Sequence, residues 1–320
     1  MGFDFIFTDP IQTAKAGMMK TQAQLKDIAN AQVPAADYIP MGTHVSPNVI
    51  KLRRSGDYIA IWRLEGISFE TADREEIKVR KEGLNSLLRG LGGGSNAIWS
   101  HKIRRVVRER LNGQYENDFC RELNDRYYET FDTHRQIATE LYVTVIYRPT
   151  PSRIEGMFKR LLPRSIEAIK AKEAEDLDVI DDIAKHLSAS LARYEPTRLG
   201  TFNRNGVAYS EMLTFLGYLV NGVWEDIPMR RSNIGEYLPT SRLHFGDKNG
   251  MLEIWHPTEH KFVGFLDIQD YPKYSEPGMN NGILYGDYEY IETQSFSIHN
   301  KPDAKHALER QKGQLIASEE

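Results

Sequence analysis

The chain has 320 residues, 40% of them hydrophobic and 27% charged, enough apolar material for a sizeable core in one large or two ordinary domains. Its formal net charge of -4 excludes a general attraction to nucleic acid or anionic lipid, so any such contact needs a local patch. A single cysteine, Cys120, excludes an internal disulfide and any multi-cysteine metal site and fits a reducing cytoplasm, while no run reaches the roughly 18 consecutive apolar residues of a membrane span.

The opening stretch MGFDFIFTDP carries Phe3, Phe5, Ile6 and Phe7, an aromatic terminus suited to a membrane surface, to a partner's groove or to its own domain. Asp9 and Pro10 together mark a helix start, and apolar spacing at Met18, Met19, Leu25 and Ile28 extends that helix to about Gln32. VPAADYIP follows as a linker. NVIKLRR and DYIAIWRLEG, joined by Ser55 and Gly56, form a hairpin.

TADREEIKVRKEGLNSLLRGL places Ile77, Leu84, Leu87, Leu88 and Leu91 at helical spacing, with acidic residues early and Arg89 late. The glycine-rich run GLGGGSNAIW comes after this helix and before a strand. A phosphate cradle needs the opposite order, strand then glycines then helix, so the glycines are expected to close a helix C-terminus with positive φ. The P-loop pattern G-x-x-x-x-G-K-[ST] occurs nowhere in these residues, and VGFLD, ending at Asp267, carries little weight without it.

NAIWSHKIRRVV reads as a strand. Within it and just beyond, Lys102, Arg104, Arg108 and Arg110 fall on one side, a positive stripe that either meets phosphates or headgroups, or pairs with nearby carboxylates. A helix around NDFCRELNDRYYETF places Cys120 between Phe119 and Leu123, the position of a small buried hydrophobe. TELYVTVIYRP then completes a strand that Pro149 ends.

The long segment SIEAIKAKEAEDLDVIDDIAKHLSASLARY spaces Ile166, Ile169, Leu177, Ile180, Ala184, Leu187, Leu191 and Tyr194 by threes and fours. Such a seam, with Ile180 and Leu187 at its centre, serves either a partner chain or the protein's own sheet. RLGTFNRNGVAYS is a second hairpin turning at Asn205 and Gly206. SEMLTFLGYLVNG is a helix ending on Gly222. The strands RLHFG, MLEIWH, KFVGFLDIQ and YEYIETQSFSIH follow, and a last helix starts near KPDAKHALERQKGQL with no stop signal before Glu320.

The expected fold class is α+β, with mixed or antiparallel sheets, helices packed on them and a long central helix. The segments are an N-terminal helix or arm (1–34), a first subdomain (35–151), a second containing the long helix (152–300), and an exit helix (301–320). No catalytic constellation stands out. His256 and His260 in HPTEH satisfy H-x-x-E-H, but Pro257 and the flanking strands favour a hairpin connection over a zinc-binding helix. G-x-S-x-G does not occur. No catalytic, cofactor or metal residue is therefore assigned.

From YIPMGTHVSPNVIKLRRSGDYIAIWRLEG onward, the chain resembles the CagE/TrbE/VirB family, the large cytoplasmic ATPases of type IV secretion systems. LYVTVIYRP, FLGYLVNG, DYEYIETQSFSIHNKP and AKHALERQKGQLIASEE continue the likeness. The resemblance implies an N-terminal region followed by a RecA-type motor that would bind ATP and magnesium. It further implies a cytoplasmic location at the inner membrane and partners among short membrane-anchored secretion subunits and other copies of the ATPase. From the acidic net charge, no stable nucleic-acid binding is expected. Phe3, Phe5, Phe7, Lys102, Arg104, Arg108, Ile180 and Leu187 are this chain's own candidates for those contacts. Two alternatives stay open: a nucleic-acid module using the basic strand and Trp99, and a hydrolase using the His256 and His260 pair.

Overall fold

A computed structural model describes residues 35–68, 72–92, 95–107, 113–115, 117–132, 136–149, 165–245, 251–267, 273–274, 278–279, 281–298 and 301–319. The expected helix before Gln32, together with Phe3, Phe5, Phe7 and Arg108, lies outside these residues.

A short 3-10 turn at Ala35–Asp37 leads into β1 (Met41–Ser46) and the hairpin of β2 (Val49–Leu52) and β3 (Tyr58–Leu64). The hairpin turns through Gly56 at φ 74°, a left-handed conformation that glycine adopts without steric cost. Helix α1 (Arg74–Gly90) begins where the Asp73 carboxylate accepts the Glu76 N–H at 2.7 Å, one of the orphan donors of a first turn. Its far end departs from expectation. Leu91 caps it at φ -85°, and the glycines serve close approach instead: a Cβ on Gly90 would stand 2.6 Å from His186 Nε2, and one on Gly92 2.9 Å from the Arg89 carbonyl.

β4 (Asn96–Val107), α2 (Asp118–Asp132) and β5 (Gln136–Tyr147) follow. β4 and β5 pair antiparallel along their full length, from Asn96 opposite Tyr147 to Val107 opposite Gln136. The long helix α3 (Ile166–Ser190) is capped by Ser165, whose hydroxyl accepts the Ala168 N–H. β6 (Pro196–Arg198) returns to pair with β3.

The hairpin of β7 (Thr201–Arg204) and β8 (Val207–Ser210) turns at Asn205 and Gly206, φ 52° and 78°, the two positive values of a tight hairpin turn. Helix α4 (Glu211–Asn221) starts at the Ser210 cap and stops at Gly222, φ 69°. Met212, Leu213, Phe215, Leu216 and Tyr218 are all buried, and a helix apolar all round belongs inside a core. After the short helix α5 (Ile234–Tyr237), strands β9 (Arg242–Phe245), β10 (Leu252–Trp255) and β11 (His260–Val263) make a three-stranded antiparallel sheet. The chain then passes through α6 (Asn281–Leu284) into β12 (Tyr290–Ser297) and α7 (Lys301–Glu319).

β12 does not stay with the small sheet. It pairs antiparallel with β4, giving a seven-stranded sheet in the order β1-β2-β3-β5-β4-β12 with β6 attached to β3. The α+β class is as expected.

The chain forms two compact units. One compact unit comprises His44–Lys51, Ser55–Leu199 and Pro272–Glu320; the other contains Leu52–Arg54, Gly200–Tyr271 and the described chain through Thr43. The cause is packing. Ile180, Ala184, Leu187 and Leu191 of the long helix region join Leu87, Val49, Tyr58, Ala60, Trp62, Ile98 and Val145 in one core. Burying such residues is worth about 1.5–3 kcal/mol each, which holds α3 on the sheet.

Candidate interaction surfaces

On β4 the described basic side chains have partners on neighbouring elements. β12 sets Glu292 opposite Lys102, with the ammonium 3.2 Å from the carboxylate and 5.5 Å over the Tyr290 ring. Burial works against the Lys102 charge, but hydrogen bonds to Tyr290 and Glu292 outweigh it, and the net pKa shift is upward. Arg104 donates to the backbone carbonyls of Gly286 and Tyr288, and Arg105 grips Glu140 with two bonds of 2.9 and 3.1 Å. Of the stripe, Lys102 is matched by a carboxylate and Arg104 is engaged by backbone carbonyls, while Arg108 and Arg110 lie outside the described residues. Trp99 remains 41% exposed, beside Ser295 of β12.

His101 lies buried in the same strand pair, its Nδ1 3.0 Å from the Thr293 hydroxyl oxygen. Burial drops its pKa from 6.5 to about 4, so the ring is neutral near pH 7.

The candidate seam on α3 is exposed at its start, Ile166 and Ile169 by 72% and 47%, and buried from Ile180 onward. Ile180 is 4% exposed and Leu187 0%, both inside the core against the sheet, so the own-sheet alternative holds and these two residues are unavailable to a partner chain. Helix α2 presents a row of apolar side chains. Phe119, Leu123 and Tyr127 are exposed by 67%, 57% and 58%, and their four-residue spacing stacks them on one face. Cys120 is exposed as well, contrary to its expected burial. The residue pattern of α2 is amphipathic, but periodicity alone does not say whether the apolar face has a partner within the same fold.

The HPTEH segment is a hairpin connection between β10 and β11, closed by the His256 N–H donating to the Glu259 carbonyl at 2.9 Å. Its two imidazoles serve different partners. His256 Nδ1 meets the Thr258 hydroxyl at 2.8 Å, and its Nε2 lies 3.5 Å from Glu225. His260 Nε2 lies 3.1 Å from Glu253 Oε2, which also accepts the Trp255 indole N–H at 2.8 Å. The Trp255 bond, then His260, hold the Glu253 carboxyl below the usual range. Among the described residues no three His, Cys, Asp or Glu side chains gather as a metal site. Histidines held apart on separate carboxylates do not supply the converging pair that a zinc hydrolase requires, so that alternative is not carried further.

Two family models match the chain. Residues 48–154 match the N-terminal domain of the type IV secretion system ATPase VirB4/TrbE. Residues 197–320 match the CagE, TrbE, VirB family, a component of the type IV transporter system. The type IV secretion system protein virB4 of Brucella suis biovar 1 is 34% identical over 309 residues, 94% of this chain and 37% of its own length. PtlC, a type IV secretion system protein of Bordetella pertussis, is 32% identical over 92% of this chain and 36% of its own. The virB4 protein of Bartonella quintana is 29% identical over 88% and 36%. The chain thus spans little more than a third of the length of these relatives.

Proposed function

This chain belongs, as an N-terminal region, to the VirB4/TrbE family of type IV secretion proteins, and on that premise we propose that it is a non-catalytic docking and assembly domain. It anchors an ATPase motor, encoded in the remainder of a longer protein, to inner-membrane subunits during pilus biogenesis and substrate transfer. ATP and magnesium are held in that motor. The partners are short membrane-anchored components of the same apparatus, the motor itself and other copies of the ATPase, and the location is the cytoplasmic face of the inner membrane. No described helix is long and apolar enough to cross a membrane.

The observation that carries this reading is the exposed face of α2, where Phe119, Leu123 and Tyr127 lie in one row. Contiguous exposed apolar side chains cost solubility and mark contact sites, and an amphipathic helix presenting residues four apart is a common way to fill a partner's groove. Localisation in secreting cells tests the proposal: the longer protein should collect at the envelope complex, and a form without residues 1–320 should spread through the cytoplasm. A truncated motor that still reaches the complex would contradict it.

A further inference from the structure

Among the described residues, β12 borders the seven-stranded sheet and pairs with β4 alone. The Ile298 N–H donates to the Asn96 carbonyl, so even-numbered residues here aim their backbone groups at β4. Successive strand residues alternate. Ile291, Thr293, Ser295 and Ser297 therefore aim theirs away from the sheet. An open edge of eight residues is a template for adding another strand. Natural edges are usually blunted by lysine, proline or a bulge. β12 has neither lysine nor proline, and its one charge, Glu292, is paired with Lys102.

We propose that this edge pairs with the same edge of a second copy of the chain, antiparallel about a twofold axis through Thr293. A twofold perpendicular to the sheet requires opposed residues to lie on the same face, hence odd opposite odd and even opposite even. The outward N–H and C=O groups belong to the odd residues, so centring on Thr293 satisfies both conditions at once. Ile291 then opposes the partner's Ser295, and Thr293 opposes the partner's Thr293. These pairs and their symmetry mate exchange about six backbone hydrogen bonds.

The side chains agree with that register. Tyr290 meets the partner's Phe296, aromatic on aromatic, and Glu292 meets the partner's Gln294, carboxylate on carboxamide. No like charges face each other, and pairs of these kinds stabilise antiparallel sheets. Ile291 and Phe296, 40% and 43% exposed, gain neighbours. Centring on Ile291 or Ser295 shortens the overlap and sets Tyr290 against Glu292 or Gln294 against Phe296. The inference does not rest on the docking role of α2, which lies on a different element.

Oxidative cross-linking of the 320-residue chain tests it, in a Cys120→Ser background that removes the native thiol. With Thr293→Cys, two sulfurs meet across the axis at a Cα separation of about 5.5 Å, within disulfide reach. With Ser297→Cys the two thiols lie about 26 Å apart along the strands. Diamide should give a disulfide dimer with the first variant and none with the second; equal cross-linking of both, or of neither, overturns the proposal. Sedimentation checks the register separately. Gln294→Glu, which sets carboxylate against carboxylate, should raise the dimer dissociation constant at least about twofold. Gln294→Lys should lower it, and no change or the reverse order would refute the pairing.

Discussion

His101 shows most plainly what a single residue contributes. Its folded pKa, about 4, lies below the ordinary 6.5, so the unfolded chain takes up a proton more readily than the folded one. The neutral ring's contribution is complete above about pH 6.5 and is lost as pH falls toward 4, by on the order of 3 kcal/mol in all. Urea midpoints should therefore decline across that window, and His101→Asn should flatten the decline. A wild-type midpoint independent of pH between those values would contradict the assignment. Gly222 is a second residue whose role is fixed by geometry. At φ 69°, Gly222→Ala should cost about 1 kcal/mol in thermal or chemical denaturation, because a Cβ strains that conformation. Gly222 was legible from sequence as the end of the FLGYLVNG helix. The burial of His101 was not, since the strand NAIWSHKIRRVV does not reveal that β12, almost 200 residues later, will cover it.

At the scale of elements, α3 separates a core helix from an exposed seam. Leu187→Ala should destabilise the protein by about 2–5 kcal/mol in equilibrium unfolding without changing its oligomeric state, whereas Ile166→Ala, at a side chain 72% exposed, should stay within about 0.5 kcal/mol. A loss of self-association on Leu187→Ala, with stability intact, would restore the partner-chain reading. Hairpins, the Gly222 helix end and most strands were readable because each rests on local rules: Ser55 and Gly56, Asn205 and Gly206, and Gly222 act within a few residues of themselves. What escaped was non-local. The placement of Ile180 and Leu187 against Tyr58 and Trp62, and of Glu292 against Lys102, depends on strand order, which periodicity does not encode. The same gap explains Cys120: its helix pattern predicts an apolar face, and only the fold shows that no described neighbour covers it.

For the whole molecule, Lys102 is matched to Glu292, the HPTEH histidines are divided between carboxylates, and α2 leaves an apolar row exposed. These features, with the family membership, support the proposed docking role. The most direct test is co-isolation from detergent-solubilised membranes of secreting cells, using the 320-residue chain as bait. The account predicts that the wild-type chain retains inner-membrane secretion subunits, and that a Phe119→Ser, Leu123→Ser, Tyr127→Ser variant with an unchanged unfolding midpoint loses them at least about tenfold. Undiminished retention by that folded variant would contradict it.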